Sequence, residues 1–74
     1  MVVVDMMQTA RNIDELRIKH GMTIKDMCDA VGVGTVQSVY KWIHGKNLPT
    51  IDNLVIIASL FGVKIDDIVA TKGE

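Results

Sequence analysis

Residues 23–45, TIKDMCDAVGVGTVQSVYKWIHG, hold two short helical patterns divided by a glycine-bearing turn, and the rest of the chain is arranged around them. Thr23 opens the first pattern: its hydroxyl can accept from the N–H groups of the next turn, while Asp26, three residues on, reaches back, which is a capping box. Met22 before the cap and Met27 after it form a hydrophobic staple, and Met27, Cys28 and Val31 recur at helical spacing. Gly32 stops this helix. The second pattern starts at Gly34 or Thr35 and ends at Gly45, a residue free to take the left-handed conformation that closes helices. Two short helices joined by a tight turn read as a helix-turn-helix.

At about 100° per residue, Val39, Trp42 and Ile43 fall on one side of the second helix and Gln37, Lys41 and His44 on the other. A solvated helix would carry Glu and Lys pairs on its outer face. This one carries an amide, an ammonium and, at Tyr40, a phenol. Gln can bond adenine N6 and N7 together, and Lys can donate to guanine or to phosphate oxygens.

Working outward, Asp5 and Gln8 read as a cap and its reciprocal partner. Met6 or Thr9, with Ile13 and Leu16, gives the inward stripe of a first helix that runs to His20 and ends at Gly21. Arg17 and Lys19 near its end complement the helix dipole. Val2–Val4, ahead of the cap, reads as a frayed apolar end. Beyond the motif, Leu48 packs inward, Pro49 bars continuation of the preceding helix and Thr50 caps a fourth one. Leu54, Ile57, Ala58 and Phe61 are its buried face, with Gly62 as its stop. Val63 and Ile65 lead to a last short helix whose Asp66 and Asp67 suit its first turn and whose Ile68 and Val69 turn inward. Thr71–Glu74 reads as loose. The expected helices are 6–20, 24–31, 35–44, 51–61 and 65–70, giving an all-α, five-helix domain over residues 1–74.

Bulk properties bound the function. Seventy-four residues, 49% apolar and 23% charged, can bury one core, and a core of that size supplies modest stability. The apolar run Leu54–Leu60 is interrupted by Ser59 and is far short of the ~20 residues of a membrane span. Met1–Val4 is too short for the apolar region of a signal peptide, so a cytoplasmic location is expected. The single cysteine, Cys28, falls on an inward face as a small apolar residue. His20 sits at a helix end and His44 on an exposed face, so neither joins Cys28 in a metal site. With no nucleophile constellation, no carboxylates paired beside a His and no glycine-rich phosphate loop, the expectation is no enzyme, no cofactor and no small-molecule substrate.

The net charge of −1 weighs against a nucleic-acid partner, because such affinity rests on neutralised phosphates. Its distribution weighs the other way. Lys25, Lys41 and Lys46 face Asp26 and Asp29 in residues 20–50, whereas Asp52, Asp66, Asp67 and Glu74 gather toward the C-terminus against Lys64 and Lys72.

The residues Leu16-Arg17, the Gly-x-Thr start at Gly21, Gly-Val before the second motif helix, Trp42-x-x-Gly45, then Leu48-Pro49-Thr50 and Asn53-Leu54 resemble the Cro/cI-type (XRE-type) helix-turn-helix family of phage repressors and small bacterial regulators. The likeness spans about residues 9 to 70. Val36–Trp42, VQSVYKW, is similar to a subgroup in which this helix commonly reads PQAIYKW. The resemblance implies a lambda-repressor-like fold whose third helix enters the major groove, whose second helix crosses the backbone with its N-terminus at a phosphate, and which binds a two-fold site as a homodimer. It implies Thr35, Gln37 and Lys41 as groove-facing residues flanked by Ser38 and Tyr40, within a candidate DNA-binding set completed by Thr23, Lys25, Val36, Lys46 and Asn47.

Three departures stand out. Ile24 occupies a place where many relatives have Gln for a phosphate, Ile43 replaces a frequent acid, and Val36 replaces proline or a polar residue. Val36 either touches a thymine methyl or packs at the edge of the core. The dimer contact is expected on the fifth helix and the adjoining end of the fourth, with Ile68 or Val69 partly exposed. A protein-interaction module of the same fold that does not bind DNA is the alternative reading.

Overall fold

The side chains that turn inward at helical spacing build five helices, α1 (Met6–Lys19), α2 (Ile24–Val31), α3 (Val36–Ile43), α4 (Ile51–Phe61) and α5 (Ile65–Ile68), in a computed structural model that describes residues 1–73. A two-stranded antiparallel sheet, β1 (Val2–Val4) with β2 (Thr71–Gly73), joins the two ends of the chain. The fold is the expected all-α, five-helix arrangement with this small sheet added.

The core is one cluster. Ile13 from α1, Met27, Cys28 and Val31 from α2, Val39 and Trp42 from α3, Leu54, Ile57, Ala58 and Phe61 from α4 and Ile68 from α5 are all buried. Leu16, Met22, Ile24, Ile43 and Val69 pack half-buried around it. Five amphipathic segments, each too short to be stable alone, hold one another by this shared apolar face. Within it α3 rests on α2 and α1, while α4 lies against α2 and α5.

Polar bonds join α1 to the C-terminal end. The Asn12 amide donates to the Ile68 carbonyl at 3.0 Å, and the buried Thr9 hydroxyl accepts from the Ala70 N–H at 2.9 Å. Arg17 does more than complement a dipole. Its guanidinium binds Asp14 at 2.9 Å and donates to the Met22 carbonyl at 2.8 Å, which fixes the chain just before the Thr23 cap.

The strands correct two expectations: Val2–Val4 is not frayed and Thr71–Gly73 is not loose. Val2 pairs with Gly73, Val3 with Lys72 and Val4 with Thr71, and the Asp5 N–H continues the ladder to the Ala70 carbonyl at 2.8 Å. Glu74, the last residue expected to be loose, lies outside the described residues. Two caps differ as well. Asp5 accepts from the Gln8 N–H at 3.0 Å, but the Gln8 side chain turns to Asn12 and Arg11 because the Asp5 N–H is already taken by the ladder. Thr50 stands at the N-cap of α4 with its hydroxyl donated to the Asp52 carboxylate and not engaged with the helix backbone. The fifth helix is also shorter than expected and buries its apolar end. Ile68 is 0% exposed and Val69 half-buried against the core, so Ile68 is not available as a contact between copies.

Candidate nucleic-acid interface

The turn that aims α3 is built from backbone chemistry. Gly32, with φ +85°, is the left-handed cap of α2, and the next N–H, that of Val33, bonds the Cys28 carbonyl at 3.2 Å. The Cys28 thiol in turn donates to the Val33 carbonyl at 3.3 Å, so the buried cysteine pins the turn. At the far end of α3, Gly45 has φ +73°, and a Cβ there would lie 2.8 Å from Met7 Sδ. The positive φ favours glycine, and for any larger residue the exposed Met7 side chain would have to move aside.

With both ends fixed, the helix presents two faces. Val39 and Trp42 are buried and Ile43 is half-buried. Thr35, Val36, Gln37, Tyr40, Lys41 and His44 are exposed, and Ser38 is half-buried at the boundary. Thr35 is the N-cap residue, yet its side chain makes no capping bond, which leaves the hydroxyl free to meet a ligand. Val36 lies outside the core cluster and is 36% exposed. The structure therefore places Thr35, Val36, Gln37, Tyr40 and Lys41 on one outward surface. Lys46 and Asn47, exposed in the turn after α3, follow it, with both N–H groups bonded to the Lys41 carbonyl.

His44 belongs to that surface and was missing from the candidate set. Its ring stacks on Tyr40, with centroids 6.0 Å apart and planes 6° from parallel. The spacing of four on an exposed face was the available signal. The pair is a flat platform one turn beyond Gln37.

At the start of α2 the capping box is present in full. The Thr23 hydroxyl accepts from the Asp26 N–H at 3.0 Å, and the Thr23 N–H donates to the Asp26 carboxylate at 2.9 Å. That backbone donor, then the Thr23 side chain, holds the Asp26 carboxyl below the usual carboxylate range. The Thr23 side chain is thus engaged with Asp26, and a carboxylate stands where a phosphate would approach. Ile24, where a phosphate-binding Gln is frequent, turns half-buried onto the core. Lys25 pairs with Asp29 at 3.3 Å, and both side chains are largely exposed, so its charge is partly answered within the helix. The positive charge not so answered in the motif is that of Lys41 and Lys46.

Among the described residues there is no cluster of His, Cys, Asp and Glu able to hold a metal, and no helix is long and apolar enough to cross a membrane. The surface offers hydrogen-bond donors and acceptors on a convex rod, a shape that fits into a groove and does not enclose a small molecule.

No curated protein and no solved structure matches the chain. The family model described as Helix-turn-helix does match, over residues 13–68, from the middle of α1 to the last residue of α5. Matched over three quarters of its length, the chain belongs to the Cro/cI-type (XRE-type) helix-turn-helix family of DNA-binding regulatory domains.

Proposed function

We propose that this DNA-binding regulator is a sequence-specific repressor. It acts in the cytoplasm as a single domain over residues 1–74 and as a homodimer, occupying a two-fold operator and excluding other proteins from it. The observation that carries this reading is the division of α3 into a buried Val39–Trp42 face and an outward face bearing Thr35, Gln37 and Lys41. Gln37 reads a base edge through its amide, Val36 touches a thymine methyl, and Thr35 and Ser38 bond bases or sugar-phosphate at the margin. Tyr40, Lys41, Lys46 and Asn47 follow the adjoining backbone. Thr23 and Lys25 approach the phosphates at the start of α2, where free N–H groups of the first turn favour an anion. Specificity rests on α3 more than on bulk charge, since Lys25 is paired and Asp26 stands at the α2 N-terminus.

Selection of bound duplexes from a random pool tests this. The expected product is a two-fold sequence with half-sites about one helical turn, ~10 base pairs, apart. A pool that shows no enrichment overturns the reading.

One observation favours the rival, a module of the same fold that contacts protein. The outward side of α4 carries Ile51, Val55 and Ile56, exposed apolar residues close together on a short helix. An unenriched DNA pool would leave that surface as the functional one.

A further inference from the structure

Each strand of the sheet that joins the chain ends has one paired edge and one outer edge. The Asp5 N–H bonds the Ala70 carbonyl, and Val4 stands opposite Thr71 in the same ladder. In an antiparallel pair, hydrogen-bonded and non-hydrogen-bonded positions alternate. Val4 is therefore a non-hydrogen-bonded position, Val3 exchanges bonds with Lys72, and Val2 is again non-hydrogen-bonded. The N–H and C=O groups of Val2 and Val4 point away from β2. Among the described residues none of them meets another backbone group outside the sheet.

Shortness is the one protection that edge has. β1 is three valines, without charge, proline or bulge, whereas β2 carries Lys72 and Gly73. Val2 is 69% and Val3 45% exposed, so apolar side chains stand open along this edge.

We propose that β1 is the dimer contact, pairing antiparallel with β1 of a second copy across a two-fold axis at Val3 to make a four-stranded sheet. The occupant is a second copy because the edge is self-complementary. With the axis at Val3, Val2 faces Val4 of the second copy and Val4 faces its Val2. Each such pair exchanges both of its bonds, so all the outward groups are satisfied. No charge on either strand opposes the approach. The inference deepens the homodimer of the proposed regulator and moves its contact from α5, where Ile68 is buried, to β1.

The test is made on the full chain without DNA. Sedimentation equilibrium should show a reversible dimer. Val2→Pro removes an outward N–H but no bond to β2, and it should weaken dimerisation at least tenfold, with circular dichroism confirming an unchanged fold. Val3→Cys should form an interchain disulfide under mild oxidation, since opposed non-hydrogen-bonded positions lie about 4.5 Å apart at Cα, within disulfide reach. Val2→Cys should not, because the two copies of that position are offset along the strands by roughly 7 Å and further separated across them. Wild type, whose one cysteine is buried, is the baseline. A monomer at high micromolar concentration overturns the proposal. So does a dimer indifferent to Val2→Pro and to the position of the cysteine, which would place the contact elsewhere, for instance on α4. Because no DNA is present, failure of operator binding leaves the cross-linking pattern unaffected and the two readings separable.

Discussion

Trp42→Ala tests the orientation of α3, on which every assignment at the outward surface depends. Trp42 is 5% exposed, so it buries nearly all of its side chain. A tryptophan side chain covers roughly 150–250 Å², and at about 25 cal/mol per Å² its burial is worth on the order of 4–6 kcal/mol. Alanine keeps the first carbon, but the cavity left adds to the loss, and large aromatic truncations fall at about 3–5 kcal/mol. A single core in a domain of this size supplies about 3–5 kcal/mol in all. The variant should therefore be mostly unfolded at room temperature. Tyr40→Ala, two positions away and 46% exposed on the other face, should change stability by less than about 0.5 kcal/mol. Urea unfolding followed by far-ultraviolet circular dichroism reads both. A Trp42→Ala chain with full helicity and a cooperative transition shifted by less than about 1 kcal/mol would show that α3 is turned the other way.

Gly45→Ala should cost more than about 1 kcal/mol, through its positive φ and the approach of the new methyl to Met7, measured by the same urea titration. Thr23→Ala should cost about 1 kcal/mol, because one half of the α2 capping box is lost. Asp26→Asn should flatten the acid limb of stability against pH. The folded carboxyl is held below its ordinary value, so its contribution is present above the unfolded carboxylate pKa of about 4 and is lost as pH falls through the lower folded value. Urea midpoints of wild type and variant across that range make the comparison.

What could be read in the sequence was what local chemistry dictates. The Thr23–Asp26 box, the glycine ends of α2 and α4 and the spacing of Leu54, Ile57, Ala58 and Phe61 each depend on residues within a turn or two of one another. What escaped was non-local. Val2 and Gly73 meet only because α1 and α5 pack together, and three-residue strands carry no period of their own. The inward turn of Ile68 was expected, but a four-residue helix is too short to show that its burial is complete, which follows from the core it closes. Lys25 and Asp29 entered only the charge balance of residues 20–50, although their spacing of four allowed the pairing itself to be foreseen. At the candidate site the two faces of α3 were legible from period alone. The Tyr40–His44 stack, the free Thr35 hydroxyl and the inward turn of Ile24 depend on rotamers and neighbours that no spacing encodes.

The central claim is that the outward face of α3 reads DNA, and Gln37 and Lys41, one turn apart, test it together. Fluorescence anisotropy of labelled duplexes at several salt concentrations, on wild type, Gln37→Ala and Lys41→Ala, with circular dichroism to confirm folding, is the measurement. Gln37→Ala should lose about 1–3 kcal/mol on the selected site and little on random duplex. With Lys41 on a phosphate, Lys41→Ala should weaken all duplexes alike and lower the slope of log affinity against log salt by about 1. If neither substitution changes binding, or wild type shows no preference among duplexes, α3 does not read the groove.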